Sequence, residues 1–408
     1  MIEKPVCLLF GGNALNAGVE HKFHKWGCEV VTVDWNDHPD VKGDLHLQLD
    51  VKQPAPIIDA LRSLNLIGRV KTGFTSIDVA VPSLAAVLRE CGLAVNSERG
   101  LDNCFSKGRM TSVWHDAGLL NRDVQRFKSW SDDIAIWNRN QKLIIKPDNA
   151  ASSRGITVLD VGSPLEEVAL AFSKALDNAS DREVVVEEFV DGTEFTVEML
   201  GDGVGNVAVY AISKKQHTKN TDRNRIAVKL HYNSINKELQ EKISSIAIEC
   251  YKSLGFCNTL GHLEILQKHD GSFSPVEIGA RSSGFIASDL VDVASGRDFL
   301  GDLCVVQHGG TVPNGLREQS ERSAMYYFYD LPAGSTIVKE CSLLDYCDAK
   351  IATRFSSREE LYVGHKIDTI DNDNARLGFE VLEGPKELMT EGYIAEAERA
   401  MLSEMVVF

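Results

Sequence analysis

Leu143-Ile144-Ile145-Lys146-Pro147-Asp148-Asn149-Ala150-Ala151-Ser152-Ser153-Arg154-Gly155 is an apolar strand that ends on a lysine and runs into a loop of small residues before the chain turns back. A lysine so placed sets a point charge beside phosphate oxygens, while the loop's N–H groups and serine hydroxyls can close over them. Taken alone, the stretch fits equally well a β-hairpin with Lys146 as a solvated strand end. Farther along stands Val184-Val185-Val186-Glu187-Glu188-Phe189-Val190-Asp191-Gly192-Thr193-Glu194-Phe195-Thr196-Val197. Its apolar strand, two-carboxylate step, glycine turn and further carboxylate make a hinge able to hold an adenine edge and a ribose hydroxyl. A polar hairpin between two sheet strands is the alternative.

The third stretch is His262-Leu263-Glu264-Ile265, a turn at Lys268-His269-Asp270-Gly271, and Pro275-Val276-Glu277-Ile278-Gly279-Ala280-Arg281. A hairpin of this length lets Glu264 and Glu277 face each other across neighbouring strands. Like charges so placed repel unless a cation sits between them, and hard oxygen ligands suit Mg²⁺ bridging a nucleotide's phosphates.

The 408 residues allow roughly two to four domains and a substantial core. With 43% hydrophobic and 25% charged residues the composition is that of a folded globular protein. The formal charge of -16 argues against nucleic acid or an anionic membrane surface as partner. The 9 Cys are odd in number and lack CxxC or Cys/His ligand spacing, which reads as reduced thiols in the cytoplasm. The apolar run Val6 to Phe10 is too short for a signal peptide, and no stretch reaches membrane-spanning length.

Alternating patterns divide the chain. Residues 1–100 read as an open α/β domain: strands at Val6 to Phe10, Glu29 to Asp34, Val70 to Phe74 and Leu93 to Asn96, with helices at Leu15 to Trp26, Ile57 to Leu66 and Val79 to Cys91. Gly11, Gly12 and Gly18 do not fit GxGxxG, so the first turn is a tight strand-to-helix connection rather than a dinucleotide site. A helical linker spans 101–121, with one helical stretch from Leu101 to Gly118. Residues 122–190 form a compact α+β unit with a single helix, Pro164 to Leu176, and breaks at Ser129 to Asp133 and Asn178 to Asp181. Residues 191–320 carry longer strands and the helix Lys237 to Leu254, and 321–408 are again mixed α+β. Between Lys214 and Lys229 six basic residues meet one acid, a loop expected to be mobile until phosphate charge draws it inward, or simply a solvated loop.

In this order the segments resemble the ATP-grasp superfamily and, within it, the carboxylate-amine ligases. The resemblance covers about Leu101 to Gly284 and, more weakly, the α/β domain before it. The pieces from Lys146 to Gly155 and from Glu187 to Val197 are similar to D-alanine:D-alanine ligases. His-x-Glu at 262 and Glu-x-Gly-x-Arg-x-x-Gly at 277 look more like the bacterial L-amino-acid ligases that make dipeptides. The resemblance implies an α/β plus α+β chain, an N-terminal open parallel-sheet domain followed by an ATP-grasp fold of two α+β subdomains, with the nucleotide between them. It implies ATP and Mg²⁺, or Mn²⁺, as cofactors, and small-molecule carboxylate and amine substrates, amino acids first, in a chain that could act as a homodimer. By the same resemblance Lys107 and Lys146 meet phosphates, Ser152 and Ser153 lie in the covering loop, Glu187, Glu188 and the Val190 backbone fall at the adenine, and Glu194 at the ribose. Glu264 and Glu277 hold metal. Arg281 acts in catalysis and on substrate, with His262, Ser283 and Gly284 beside it. Many relatives have Asn where this chain has Gly279, which puts a second metal ion in doubt. The implied reaction passes through an acyl-phosphate to an amide, releasing ADP and phosphate. A carboxylase or nucleotide-pathway ligase, a non-ligating ATP sensor and a sugar or inositol kinase are the competing readings.

Overall fold

The computed structural model describes residues 3–150, 154–219, 226–284, 287–370 and 375–408. Ser152 and Ser153 of the expected covering loop, and residues 220–225 of the basic loop, lie outside the described residues.

β1 (Val6–Phe10) is apolar at every position and wholly buried, as a parallel strand covered on both faces must be. It pairs with β2 (Glu29–Asp34) on one side, and β2 pairs in turn with β3 (Leu45–Gln48). β4 (Val70–Thr75) lies on the other side of β1, giving the parallel order β3-β2-β1-β4. α1 (Ala17–Lys25), α2 (Pro54–Ser63) and α3 (Val81–Glu90) make the connections, the latter two opened by Pro at the first turn. The chain reverses direction across the sheet between β1 and β4, so the crevice at their carboxyl ends is the place such sheets reserve for ligands. β3 was not legible as a strand because it is a short, half-buried edge. Leu93 to Asn96, expected as a strand, is irregular. Ala94 N donates to Gln307 O (2.7 Å) and Val95 O accepts from the Asn258 side chain, so the backbone groups go to another domain and not to a ladder.

The expected single helix from Leu101 to Gly118 is two. α4 (Glu98–Asn103) starts at a Ser97 cap and α5 (Lys107–Asp116) at a Ser106 cap, each hydroxyl accepting from a backbone N–H of the first turn, at 2.9 and 3.0 Å. The second cap needs extended backbone at Ser106, which ends one helix and begins the next.

A small antiparallel sheet of order β5-β8-β6-β7 follows, built from β5 (Val124–Phe127), β6 (Leu143–Pro147), β7 (Thr157–Leu159) and β8 (Val184–Glu188). Two helices cover it and not one: α7 (Leu165–Asn178) as expected, and α6 (Asp132–Asn138) where a break was read. The Ser131-Asp132-Asp133 cluster is an N-cap signature, and Ile134 behind it is buried.

The main sheet runs β13-β12-β9-β10-β11-β15-β18-β17 among the described residues. Its strands are β9 (Thr193–Gly201), β10 (Val207–His217), β11 (Ala227–Tyr232), β12 (Thr259–Gln267) and β13 (Phe273–Gly279), with the short β14 (Gly315–Leu316) beside β10. β15 (Arg322–Phe328), β17 (Ala352–Ser357) and β18 (Phe379–Pro385) extend the same sheet past residue 321, while β16 (Thr336–Ile337) and β19 (Val406–Val407) pair separately. α8 (Lys237–Ser253) is capped by Asn236 and packs close to the sheet because Gly201 leaves room for the Tyr251 ring; a Cβ there would stand 2.5 Å from it. α9 (Ala287–Ser295) and α10 (Phe299–Gln307) pack toward the N-terminal domain, and α11 (Glu391–Met405) lies over the β10–β11 side.

Candidate active site

Two structural facts bring the lysines together. Lys146 ends β6, and Asp148 just beyond it is fully buried and accepts from Gly108 N at 2.7 Å, while Lys107 N donates to Asp148 O at 3.1 Å. The start of α5 is thus pinned to the end of β6, and Lys107 reaches the first residues of the loop through Ala150 O at 2.8 Å.

Lys146 Nζ stands 2.8 Å from Glu187 Oε1, and Arg122 Nε donates to Glu187 Oε2 at 3.0 Å. Arg122 also reaches Ser274 Oγ (2.6 Å) and Pro275 O (2.7 Å) on β13, so this buried triad joins the small sheet to the main one. Burial, with Arg122 and Lys107 nearby, pulls Lys146 below the ordinary lysine value against the attraction of Glu187. Burial works on Glu187 in the opposite sense, but the two cations outweigh it and lower its value. The carboxylate of Glu187 therefore faces the core between two cations rather than an open site. Glu188 N donates to Asp123 O and Phe189 N to Lys142 O, each pairing the hinge with the small sheet.

Glu264 and Glu277 are register partners across β12 and β13. Each is matched by a lysine: Glu277 Oε2 lies 3.1 Å from Lys107 Nζ, and Glu264 Oε1 lies 2.8 Å from Lys215 Nζ. Lys215 also meets Glu194 Oε1 at 2.7 Å, and His217 meets the other oxygen of Glu194 at 3.0 Å. Burial favours the neutral carboxyl, yet Lys215 and His217 hold Glu194 far below the usual range, and the paired carboxylates raise Lys215 despite its burial. Neither Lys215 nor His217 was singled out for the site from sequence, where Lys215 was counted in a basic loop. The signal was the strand period. Lys214 and Lys215 are consecutive on β10, so Lys215 turns to Glu194 and Glu264 while Lys214 turns the other way to Glu391 of α11 at 2.7 Å. Lys229 likewise meets Glu398 at 3.0 Å. At the described end of the basic loop Asp330 accepts from Thr218 Oγ1 and from Lys219 N.

His262 Nδ1 lies 2.6 Å from Glu198 Oε1 and its Nε2 lies 3.8 Å from Glu264 Oε1. Burial alone would hold the imidazole neutral, but Glu198 outweighs it and pushes His262 up to about 9. Glu198, fully buried on β9, was not foreseen; its signal was a carboxylate at an inward position of a buried strand. Arg281 forms a 2.6 Å ion pair with Asp78, from the turn after β4. Ser282 and Ser283 are buried. Asp78 also escaped the sequence reading, since nothing local links it to Arg281. The site thus gathers Lys107, Lys146, Glu187, Glu194, His262, Glu264, Glu277 and Arg281.

Residues 140–289 match a family described as the ATP-grasp domain. Among curated relatives, the D-alanine--D-alanine ligase of Ralstonia nicotianae is 30% identical over 193 residues, 45% of this chain and 55% of the relative. The chain spans between about half and two thirds of the length of the curated relatives it matches. Among solved structures, L-amino acid ligase from Bacillus licheniformis superimposes with a TM-score of 0.71 at 17% identity over 100% of this chain and 99% of that one. Phosphoribosylglycinamide synthetase from Anaerococcus prevotii gives 0.67 at 14% identity over 100% of both chains. The parallel N-terminal sheet and the two antiparallel sheets are arranged as in these structures.

Proposed function

We propose that the chain is an ATP-dependent carboxylate-amine ligase joining amino acids through an acyl-phosphate, a reading supported by the match of residues 140–289 to the ATP-grasp domain. The observation that carries this reading is the pair Glu264 and Glu277 in register, with Lys107 and Lys215 on their outer sides and Lys146 across the cleft.

The donor set fits a hard divalent cation: two carboxylates on adjacent strands, oxygen ligands only, with lysines now balancing the charge that a cation would take over. Glu264 and Glu277 would hold Mg²⁺, which when bound neutralises phosphate charge as the γ-phosphoryl is transferred. Gly279 supplies no side-chain ligand, in keeping with a metal held by the two glutamates and by phosphate or water.

The chain's own groups do the rest. Lys107, paired with the part-exposed Glu277 and released when a cation takes that carboxylate, and Lys146, paired with the buried Glu187, supply point charges for the phosphates. Glu194 is an ionised acceptor suited to ribose hydroxyls. Arg281 presents its guanidinium to the substrate carboxylate and to the oxyanion that develops when an amine attacks the acyl carbon. The small sheet from β5 to β8 closes over the cleft and keeps water from the acyl-phosphate.

The test is a screen of amino-acid pairs for phosphate release with mass detection of the amide. A product of the two amino-acid masses less water, formed only with ATP, is expected. ATP bound without turnover for any pair would instead favour a sensor, and a stable phosphorylated alcohol a kinase.

A further inference from the structure

Asp148, the residue after β6, is fully buried, yet only one of its carboxylate oxygens is matched. Oδ1 accepts from Gly108 N at 2.7 Å, while the buried Oδ2 has no hydrogen-bond partner among the described residues. A buried carboxylate oxygen in that position is costly unless positive charge meets it. Its neighbours bring more negative charge instead. Asp181 and Glu183 lie in the turn from α7 to β8, and the three acids offer oxygens within 4.8 Å of one another. Burial raises Asp181 above the usual carboxylate value and Asp148 adds to the rise, so these two carboxylates feel each other directly.

The backbone enforces this convergence. Asp148 N donates to Glu183 O at 3.0 Å, Asn149 Nδ2 donates to Ser180 Oγ at 2.8 Å, and Ser180 N donates back to Asn149 Oδ1 at 3.0 Å. The two turns are therefore laced together against the repulsion of their acids. The cations nearby do not balance it. Arg126 takes one oxygen of Glu183 at 2.5 Å, Arg182 pairs with Asp177 at 3.8 Å, and Lys107, though in the field of Asp148, is paired with Glu277.

We propose that Asp148, Asp181 and Glu183 form a binding site for a hard divalent cation, Mg²⁺ or Ca²⁺, separate from the Glu264 and Glu277 pair. Bonds of about 2.0–2.1 Å to Mg²⁺ or 2.3–2.6 Å to Ca²⁺ place opposite ligand oxygens roughly 4–5 Å apart, a span the three acids already have. Asp181 is exposed, so water completes the shell. The ion gives Asp148 Oδ2 its missing partner and turns the repulsion of the cluster into attraction. Its work is positional. Asp148 also receives Lys107 N and Gly108 N, the first two N–H groups of α5, so an ion that fixes Asp148 fixes the helix start that presents Lys107. The site stands independently of the ligase reading.

Mn²⁺ counted by electron paramagnetic resonance on the metal-stripped full chain, without nucleotide, tests this, and competition by Mg²⁺ and by Ca²⁺ tells the two ions apart. Glu264→Gln combined with Glu277→Gln removes the other acidic pair, and about one Mn²⁺ per chain with a Kd below about 1 mM should remain. Adding Asp181→Asn should weaken that ion at least about tenfold. The change is mild for the fold, because Asp181 is exposed and Asn keeps an oxygen for the Glu183 N–H. On the same background the cation should raise the Tm, and Asp181→Asn should abolish the rise. Loss of all Mn²⁺ with the Glu264 and Glu277 changes, a Kd above about 1 mM, or a less than tenfold effect of Asp181→Asn would overturn the proposal. If the chain lacking both glutamates fails to fold, the comparison passes to the wild type: Asp181→Asn alone should cost one bound Mn²⁺, and an equal count in the two proteins overturns the site.

Discussion

Replacing Glu187 by Gln keeps the shape of the buried triad and removes the one anion between Lys146 and Arg122. Lys146 and Glu187 side chains are each 3% exposed, so water cannot take over the charge. Arg122 cannot shed its proton, but Lys146 can, and that limits the penalty. Deprotonating a lysine of ordinary pKa, about 10.4, at pH 7 costs roughly 4.6 kcal/mol, which agrees with the ~3–5 kcal/mol expected when one partner of a buried pair is removed. The variant should therefore lose about 4 kcal/mol at pH 7. The sign of its pH dependence follows. With Lys146 neutral in the folded variant and charged in the unfolded one, the unfolded state binds the extra proton, so the variant gains stability relative to wild type as pH rises toward about 10.4. Between pH 7 and 9 the gap should narrow, by at most about 2.7 kcal/mol, since burial already lowers Lys146 in the wild type. Urea unfolding followed by tryptophan fluorescence measures it, since Trp137 packs against the core of the small sheet and Trp130 against Phe172 of its covering helix. A gap below about 1 kcal/mol, or one that does not change with pH, would refute the account of a charged lysine held by Glu187.

Glu277→Gln should stay folded and lose on the order of a hundredfold or more in turnover, as for removal of an electrostatic stabiliser; near-normal turnover at ordinary Mg²⁺ would contradict its assignment. Turnover should yield ADP and phosphate, because Lys107, Lys146 and the two glutamates are aimed at one end of the triphosphate; stoichiometric AMP and pyrophosphate would show the wrong bond had been chosen. His262 is raised to about 9 in the folded chain, so its pairing with Glu198 stabilises fully below about pH 6.5 and is lost as pH rises through 9. The stability difference between wild type and His262→Gln should shrink across that window, and a flat difference would mean the pair is not ionic.

Sequence by itself determined the parts that depend on local order. The continuous apolar runs of β1 and β6, the helix at α8, and the Glu264/Glu277 hairpin of β12 and β13 are all written within a few residues of one another. Where local cues competed, the reading slipped: it ran one helix through Ser106 and put a break at Ser131, and both are caps, because the same hydroxyl that ends one conformation begins a helix. Only the tertiary structure decided the partners of the buried charges. Arg122 with Glu187, Lys215 with Glu194 and Glu264, Glu198 with His262, and Asp78 with Arg281 are far apart in sequence. A charge in a chain announces its sign but not its counterion, since Coulomb attraction depends on distance in space and on burial, and both are set only when the sheets close on one another.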